Sequence, residues 1–278
     1  MINCDHVEYC YPGGTRALEG VSLKIKCGEC VALIGQNGAG KSTLSKLLNG
    51  LIRPTSGTIY LEGQDTSKYR TDEIAQRVGY VFQNPDDQIF SKTVHEECEY
   101  ALKRLGVEQT EREERITQAL SVCNLLEEAD TNPLDLPLAQ RKFVAIAAVL
   151  AMGPNYVILD EPTAGLDELG RRDLVAIMQW VSNAGKSVIA VSHDMRFVIE
   201  NFPRVVVMSR GAIISDNSVA DAFSNDQVLT EAKLTVPPAV QISRHAGAPK
   251  ELLQMDQIFN WCKDFLDQKH KFIPLERH

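Results

Sequence analysis

Apolar and polar positions change their spacing several times along the chain, and each change predicts an element. Over residues 1–34 the spacing is that of β-structure: VEYCYP, VSLKIK and CVALIG read as strands, with Pro12-Gly13-Gly14 as the turn between the first two. From Lys41 to about Asn49 the period turns helical, and Gly50 is placed to end the helix. GTIYLEG then reads as a short strand and VGYVF as a buried one. From Ser91 to about Asp130 the chain is mostly helical and charged, with EQTEREERI as a solvated face. Within that block Thr93-x-x-Glu96 predicts a capping box, opening a helix with Val94, Cys98, Ala101 and Leu105 on one face. A helix with Phe143, Ile146, Ala147 and Leu150 at helical spacing follows, then the strand YVILD, a helix near 168–183, and the strands SVIAVS and VVVMS.

Apolar strands alternating with helices predict an α/β fold whose mostly parallel sheet is buried on both faces. The helical block inserted between two of those strands, about 91–150, predicts a second lobe. From about Asp221 the pattern weakens, and Pro237-Pro238 and RHAGAPK read as a linker. Beyond it DQIFNWCKDFLDQ recovers an apolar stripe through Ile258, Trp261, Cys262 and Phe265, which either packs on the body or forms a self-association face. The division expected is therefore 1–220 for the main domain and 221–278 for a C-terminal extension.

Composition narrows the classes of function. The chain has 278 residues, 44% hydrophobic and 24% charged, which fits one large globular domain with a smaller appendage. Its net charge of −8 and only short basic clusters such as Arg171-Arg172 argue against a nucleic-acid partner. The opening MINCDHVEYC lacks the features of a secretory signal, and the longest apolar run, FVAIAAVLAM, is half of the ~20 residues a membrane span needs. A membrane role is expected to come through a partner. Seven cysteines, an odd number, fit a reducing compartment better than a disulfide framework. Cys27 and Cys30 form a CxxC with no second pair and are expected to be buried and structural, while His95-Glu96-Glu97 lacks the second histidine of a zinc-protease helix.

Two stretches carry chemistry. GQNGAGKST, from Gly35 to Thr43, follows a strand and precedes a helix, the context of a phosphate-binding loop. Gly35, Asn37, Gly38 and Gly40 let backbone N–H groups and the helix N-terminus converge on phosphate oxygens, with Thr43 closing the motif. Lys41 is expected to reach the β- and γ-phosphates and Ser42 to hold Mg²⁺. YVILDEP delivers Asp160 to the end of a buried strand, where it faces the Mg²⁺ shell, and Glu161 next to it is placed to polarise or deprotonate an attacking water. ATP and Mg²⁺ are the cofactors expected.

With these motifs in order, the chain resembles the ATP-binding cassette (ABC) ATPases over most of its length. EPTAGLD looks like that family's D-loop, ending at Asp167. VSHD places His193 as the switch histidine that contacts the γ-phosphate. Gln83, in VFQNPDDQ, matches the Q-loop glutamine that links Mg²⁺ to the transmembrane partner, and Tyr11, in CYPGG, matches the aromatic that stacks on adenine. The resemblance implies a P-loop NTPase core with an antiparallel β subdomain and an inserted helical subdomain, and ATP hydrolysis by Glu161 and His193. QNPDDQIFSKTVHEE, the CYPGG turn and the tail resemble the energy-coupling-factor (ECF) transporter ATPases, although VHEECEYAL departs from their acidic-aromatic pattern. That likeness implies micronutrient uptake and three partners: a second ATPase subunit, a transmembrane coupling protein and a substrate-binding membrane subunit. It also implies a peripheral position on the cytoplasmic face of the cell membrane. A conventional ABC transporter ATPase is the alternative within transport. A soluble ABC-type ATPase acting on DNA or ribosomes is the alternative outside it, disfavoured by the acidic balance and the NPDDQ stretch.

One segment departs from the family. Where it carries a signature close to LSGGQ, this chain reads Leu136, Pro137, Leu138, Ala139 and Gln140. The signature reaches across a closed dimer to the γ-phosphate held by the partner. Proline at a first helical position still lets the helix start, but Pro137 has neither hydroxyl nor N–H and Leu138 adds bulk. A hydrogen bond to a charged group is worth about 1.5–3 kcal/mol, so two lost contacts weaken closure on the order of 100-fold. A heterodimer is expected, whose partner supplies an intact signature.

Overall fold

The computed structural model describes residues 1–270, with backbone alone from 265 onward, so the side chain of the stripe residue Phe265 and the end of the extension, 271–278, lie outside what is described. The opening hairpin pairs β1 (Ile2–Cys10) with β2 (Arg16–Ile25) antiparallel. The next strand, β3 (Cys30–Ile34), enters a different sheet and leads into α1 (Lys41–Asn49), which Gly50 ends as expected. The chain then returns to β1 with β4 (Ser56–Leu61) and the short β5 (Gln64–Asp65), completing a four-stranded antiparallel sheet in the order β2-β1-β4-β5.

After α2 (Thr71–Ala75) comes β6 (Val78–Val81), and then the helical lobe of α3 (Val94–Arg104), α4 (Gln109–Val122) and α5 (Leu138–Met152). The remaining core alternates strand and helix: β7 (Tyr156–Asp160), α6 (Glu168–Asn183), β8 (Ser187–Val191), α7 (Met195–Asn201), β9 (Arg204–Ser209) and β10 (Ala212–Ser218). Their sheet runs β10-β9-β3-β8-β7-β6, parallel throughout except for β10. This is the mixed α/β architecture expected from the sequence.

The uninterrupted apolar strands β7 and β8 are buried along their whole length because the sheet is covered on both sides. Alternate residues serve alternate faces. Val31, Leu33 and Ile158 pack toward α1 and the antiparallel sheet, with Leu44 and Leu18. Ala32, Ile34 and Leu159 pack toward the helical side, with Phe143, Leu174 and Phe197. The sheet is the partition between two cores.

Several local expectations change. Thr93 caps α3 by accepting the Glu96 N–H at 3.1 Å, but the Glu96 carboxylate accepts from the Lys92 N–H, so half of the capping box forms. The buried face of α3 is Val94, Cys98 and Leu102, while Leu105 caps the helix end and is 40% exposed. Cys27 is exposed in the turn before β3 rather than buried. Pro237-Pro238 does not act as a linker, because Pro238 opens a helix, where its missing N–H costs nothing. After β10 the chain runs through α8 (Val219–Ser224), α9 (Asp226–Glu231), α10 (Pro238–His245) and α11 (Met255–His270). Phe223, Leu229, Ala232, Val240 and Leu253 from this stretch join the core on the helical side of the sheet.

Candidate functional site

The C-terminal ends of β3, β6, β7 and β8 lie side by side, and the chemically loaded residues follow directly after them. After β3 the loop folds tightly. Gly35 has φ 147°, and a Cβ there would sit 2.2 Å from the Met208 carbonyl oxygen of β9. At Gly40, φ 101°, a Cβ would come within 2.7 Å of the Ala17 carbonyl. Only glycine fits either place. Gly40 also opens α1 without a capping side chain, leaving the first-turn N–H groups for an anion. The Lys41 ammonium curls back and donates to the carbonyls of Gly35 at 2.8 Å and Gln36 at 3.1 Å. Burial pushes its pKa below the ordinary lysine value, opposed by the nearby Glu161 and Asp160 carboxylates.

The two consecutive carboxylates at the end of β7 have different surroundings. Asp160 is 7% exposed, and its Oδ2 accepts from the Tyr80 hydroxyl at 2.7 Å. Burial, and then the Asp160 charge, push the Tyr80 phenol far up, so it stays a donor. Asp160 Oδ1 is buried with no hydrogen-bond partner. An unpaired carboxylate oxygen behind a cleft lined by the Ser42 hydroxyl is the hard oxygen donor set that Mg²⁺ takes. Glu161 follows with φ 48°, the left-handed region, which turns its side chain toward β8. Its Oε2 accepts from the His193 backbone N–H at 3.3 Å and lies 2.8 Å from His193 Nδ1. The His193 ring is 67% exposed at the rim.

These groups meet in one cleft of about 550 Å³. Tyr11, Gln83, Glu161 and His193 line it with Asn37, Gly38, Gly40 and Lys41, Ser42 and Thr43. Gly35 and Asp160 stand behind that lining, tied in through Lys41 and Tyr80. The Tyr11 hydroxyl shares a hydrogen bond with Thr43 Oγ1 at 3.0 Å, and its ring meets Tyr9 edge-on at 4.9 Å, so the aromatic is fixed at the mouth. Thr15, Arg16 and Ala17 complete the wall and were not anticipated; the one available signal was a cation two residues after the CYPGG turn. A second cavity of about 570 Å³, lined in part by Cys30, Met178 and Pro203, lies at the opposite end of the sheet and holds none of these residues.

Leu136, Pro137, Leu138, Ala139 and Gln140 are not part of the cleft lining. Here the structure corrects one expectation. Pro137 is not the first helical residue but the one before it, at φ −55° and ψ 150°, and α5 begins at Leu138. A serine there would cap the helix; proline gives no side-chain cap. Leu138 is 49% exposed, and a methyl of it lies 3.7 Å from where a Gly165 Cβ would stand, so it covers part of EPTAGLD. Gln140 reaches Glu128 at 3.5 Å. Arg141 was not singled out from sequence. Its Nε donates to the Leu136 carbonyl at 2.8 Å and its Nη1 to the Asp86 carboxylate at 3.0 and 3.1 Å, joining this turn to the loop that carries Gln83.

A sequence profile of the family described as ABC transporter matches residues 18–164. An ABC transporter ATP-binding protein of Caldanaerobacter subterraneus is 36% identical over 263 residues, which are 95% of this chain and 46% of that protein. The energy-coupling factor transporter ATP-binding protein EcfA of Methanoculleus marisnigri is 38% identical over 269 residues, 96% of this chain and 97% of its own length. Among solved structures CbiO1 of Clostridium perfringens, described as part of the ABC transporter complex CbiONQ, aligns with a TM-score of 0.75 at 32% identity, covering 88% of this chain and 98% of that one. The chain thus spans about half the length of the first of these proteins and nearly all of the other two.

Proposed function

The chain belongs to the ABC transporter ATP-binding family, and from that premise we propose that it is the ATP-binding and hydrolysing subunit of an ECF-type importer, powering micronutrient uptake through membrane partners. One observation carries the enzymatic part. Two adjacent carboxylates stand at the end of β7, one buried with a free oxygen, the other at the cleft with its oxygen on the His193 ring. The first suits a cation and the second suits a proton.

In this reading the loop N–H groups and the Lys41 ammonium bind the triphosphate, exchanging the Gly35 and Gln36 carbonyls for phosphate oxygens. Tyr11 offers its ring face to the base. Ser42, Gln83 and Asp160 are the residues that would hold Mg²⁺, which when bound neutralises charge developing on the phosphates. Glu161 orients a water and takes its proton, and His193 steadies the transferring phosphoryl group. The geometry behind Glu161 supports this, since its backbone direction is set by the strand and the following turn rather than by the side chain.

The ECF assignment draws on the EcfA relative, which matches nearly end to end, and on CbiO1. Among the described residues no helix is long and apolar enough to cross a membrane. The partners proposed are a second ATPase subunit, a coupling protein and a substrate-binding membrane subunit, with the chain held at the cytoplasmic face of the membrane. The uncapped, leucine-covered start of α5 favours a heterodimer in which this chain contributes one competent site and receives its signature from the partner.

ATP turnover of the purified chain tests both parts. Alone, it is expected to be slow, and to rise at least tenfold when paired with an ATPase that has an intact signature or when Pro137, Leu138 and Ala139 become Ser, Gly and Gly. Brisk turnover alone, unaltered by that repair, would overturn the heterodimer reading. Glu161→Gln is expected to bind ATP and arrest; normal turnover in it would remove Glu161 as the base.

A further inference from the structure

Lys142, at the start of the second turn of α5, is only 3% exposed, yet it carries an ammonium. Its hydrogen-bond partners are three backbone carbonyls, all in the segment after β7: Glu161 at 3.1 Å, Pro162 at 3.3 Å and Ala164 at 2.7 Å. An ammonium has three N–H donors, so the set is complete. A buried charge persists only where it is satisfied in this way. Burial pushes its pKa below the ordinary lysine value, and the Glu161 carboxylate opposes that.

The segment it holds needs holding. Glu161 is not glycine, yet its φ is 48°, a conformation that persists only where the surroundings impose it. Its N–H donates to the Val191 carbonyl at 2.9 Å, which fixes one side to β8. Its carbonyl accepts from Lys142 and, at 3.2 Å, from the Ala164 N–H, which fixes the other. A backbone pinned on both sides of Cα leaves little freedom in where the carboxylate points.

We propose that Lys142 is a positioning residue for the hydrolytic carboxylate, clamping the Glu161–Ala164 backbone so that the Glu161 side chain faces the cleft. The proposal rests on the reading of Glu161 as the general base. Lys142 itself touches neither nucleotide nor water; it acts through the peptide it binds. An apolar side chain of similar length fills the same space but removes the ammonium from all three carbonyls, leaving the Glu161 carbonyl with the Ala164 N–H alone, so filling and positioning are separable.

The test uses the full chain paired with an ATPase that has an intact signature, with MgATP, reading affinity from a fluorescent ATP analogue and the chemical step from single-turnover hydrolysis. Lys142→Met is expected to bind within twofold of the wild type and to hydrolyse at least tenfold more slowly. Lys142→Arg, which keeps the charge but spreads its donors over a planar fork that does not converge on all three carbonyls, is expected to fall between them. Backbone amides of 161–166 are expected to exchange faster in Lys142→Met while those of β7 stay protected. A folded Lys142→Met with wild-type hydrolysis overturns the proposal. If that variant does not fold, Lys142→Arg decides: slowed hydrolysis at unchanged affinity supports positioning, and an unchanged rate overturns it. Glu161→Gln separates the two levels. If it turns over normally, the base assignment has failed; if it arrests while Lys142→Met runs normally, only the clamp has failed.

Discussion

Tyr80 shows how a single hydroxyl supports a site it does not line. It reads in sequence as one more apolar residue of VGYVF, and its ring does pack in the core. Its oxygen nevertheless donates to buried Asp160 and sits 3.4 Å from the Ser45 hydroxyl. Tyr80→Phe leaves that carboxylate oxygen without a donor, a loss of about 1.5–3 kcal/mol for a charged hydrogen bond, and the melting temperature is expected to fall on the order of 5 °C in thermal unfolding. A melting temperature unchanged within error would mean that Asp160 finds another donor. The loop residues Gly35 to Thr43 and the pair Asp160-Glu161 were legible because their spacing in sequence is their spacing in space. Tyr80, Arg16 and Lys142 were not, because strand and helix packing bring them in from far along the chain.

At the scale of elements, the helix that follows VSHD depends on Asp194. Its carboxylate accepts the Phe197 N–H at 3.0 Å as the cap of α7 and pairs with Arg171 of α6 at 2.5 Å. Burial alone would raise the Asp194 pKa, but the Phe197 and Arg171 hydrogen bonds outweigh it and hold it below 3.8. A carboxylate depressed in the folded state stabilises it above the unfolded value and loses that contribution as pH falls through the folded one. Stability is therefore expected to fall with acid below about pH 4. Asp194→Asn should flatten that part of the profile and cost about 1 kcal/mol at neutral pH, read by denaturant unfolding at a series of pH values. The same scale shows where periodicity stops being informative. It located α3 but assigned Leu105 to its buried face, because the pattern does not say that the helix ends at Arg104. It found the helix after LPLAQ, yet only the backbone angles place Pro137 outside it.

Across the whole molecule, the parallel sheet with a core on each side was readable from its uninterrupted apolar strands. The destination of the tail was not, since Phe223 and Leu229 look no different in sequence from residues of a detached appendage. Because they enter the core on the helical side, truncation after Ser218 is expected to give insoluble protein, whereas truncation after Gln254 keeps those side chains and should retain ATP binding. Solubility and a nucleotide-binding assay on the two truncations distinguish the cases. Cys27 has a practical consequence at this scale. It is the one exposed cysteine among the described residues, while burial raises the Cys4 and Cys98 thiols to about 12. It also stands at the end of the sheet opposite the nucleotide cleft, in the turn before β3. A maleimide dye should therefore mark the native chain first at a spot remote from the chemistry, giving one optical reference point on this subunit. Energy transfer between that dye and one placed on the second subunit could follow opening and closing without any engineered residue in this chain.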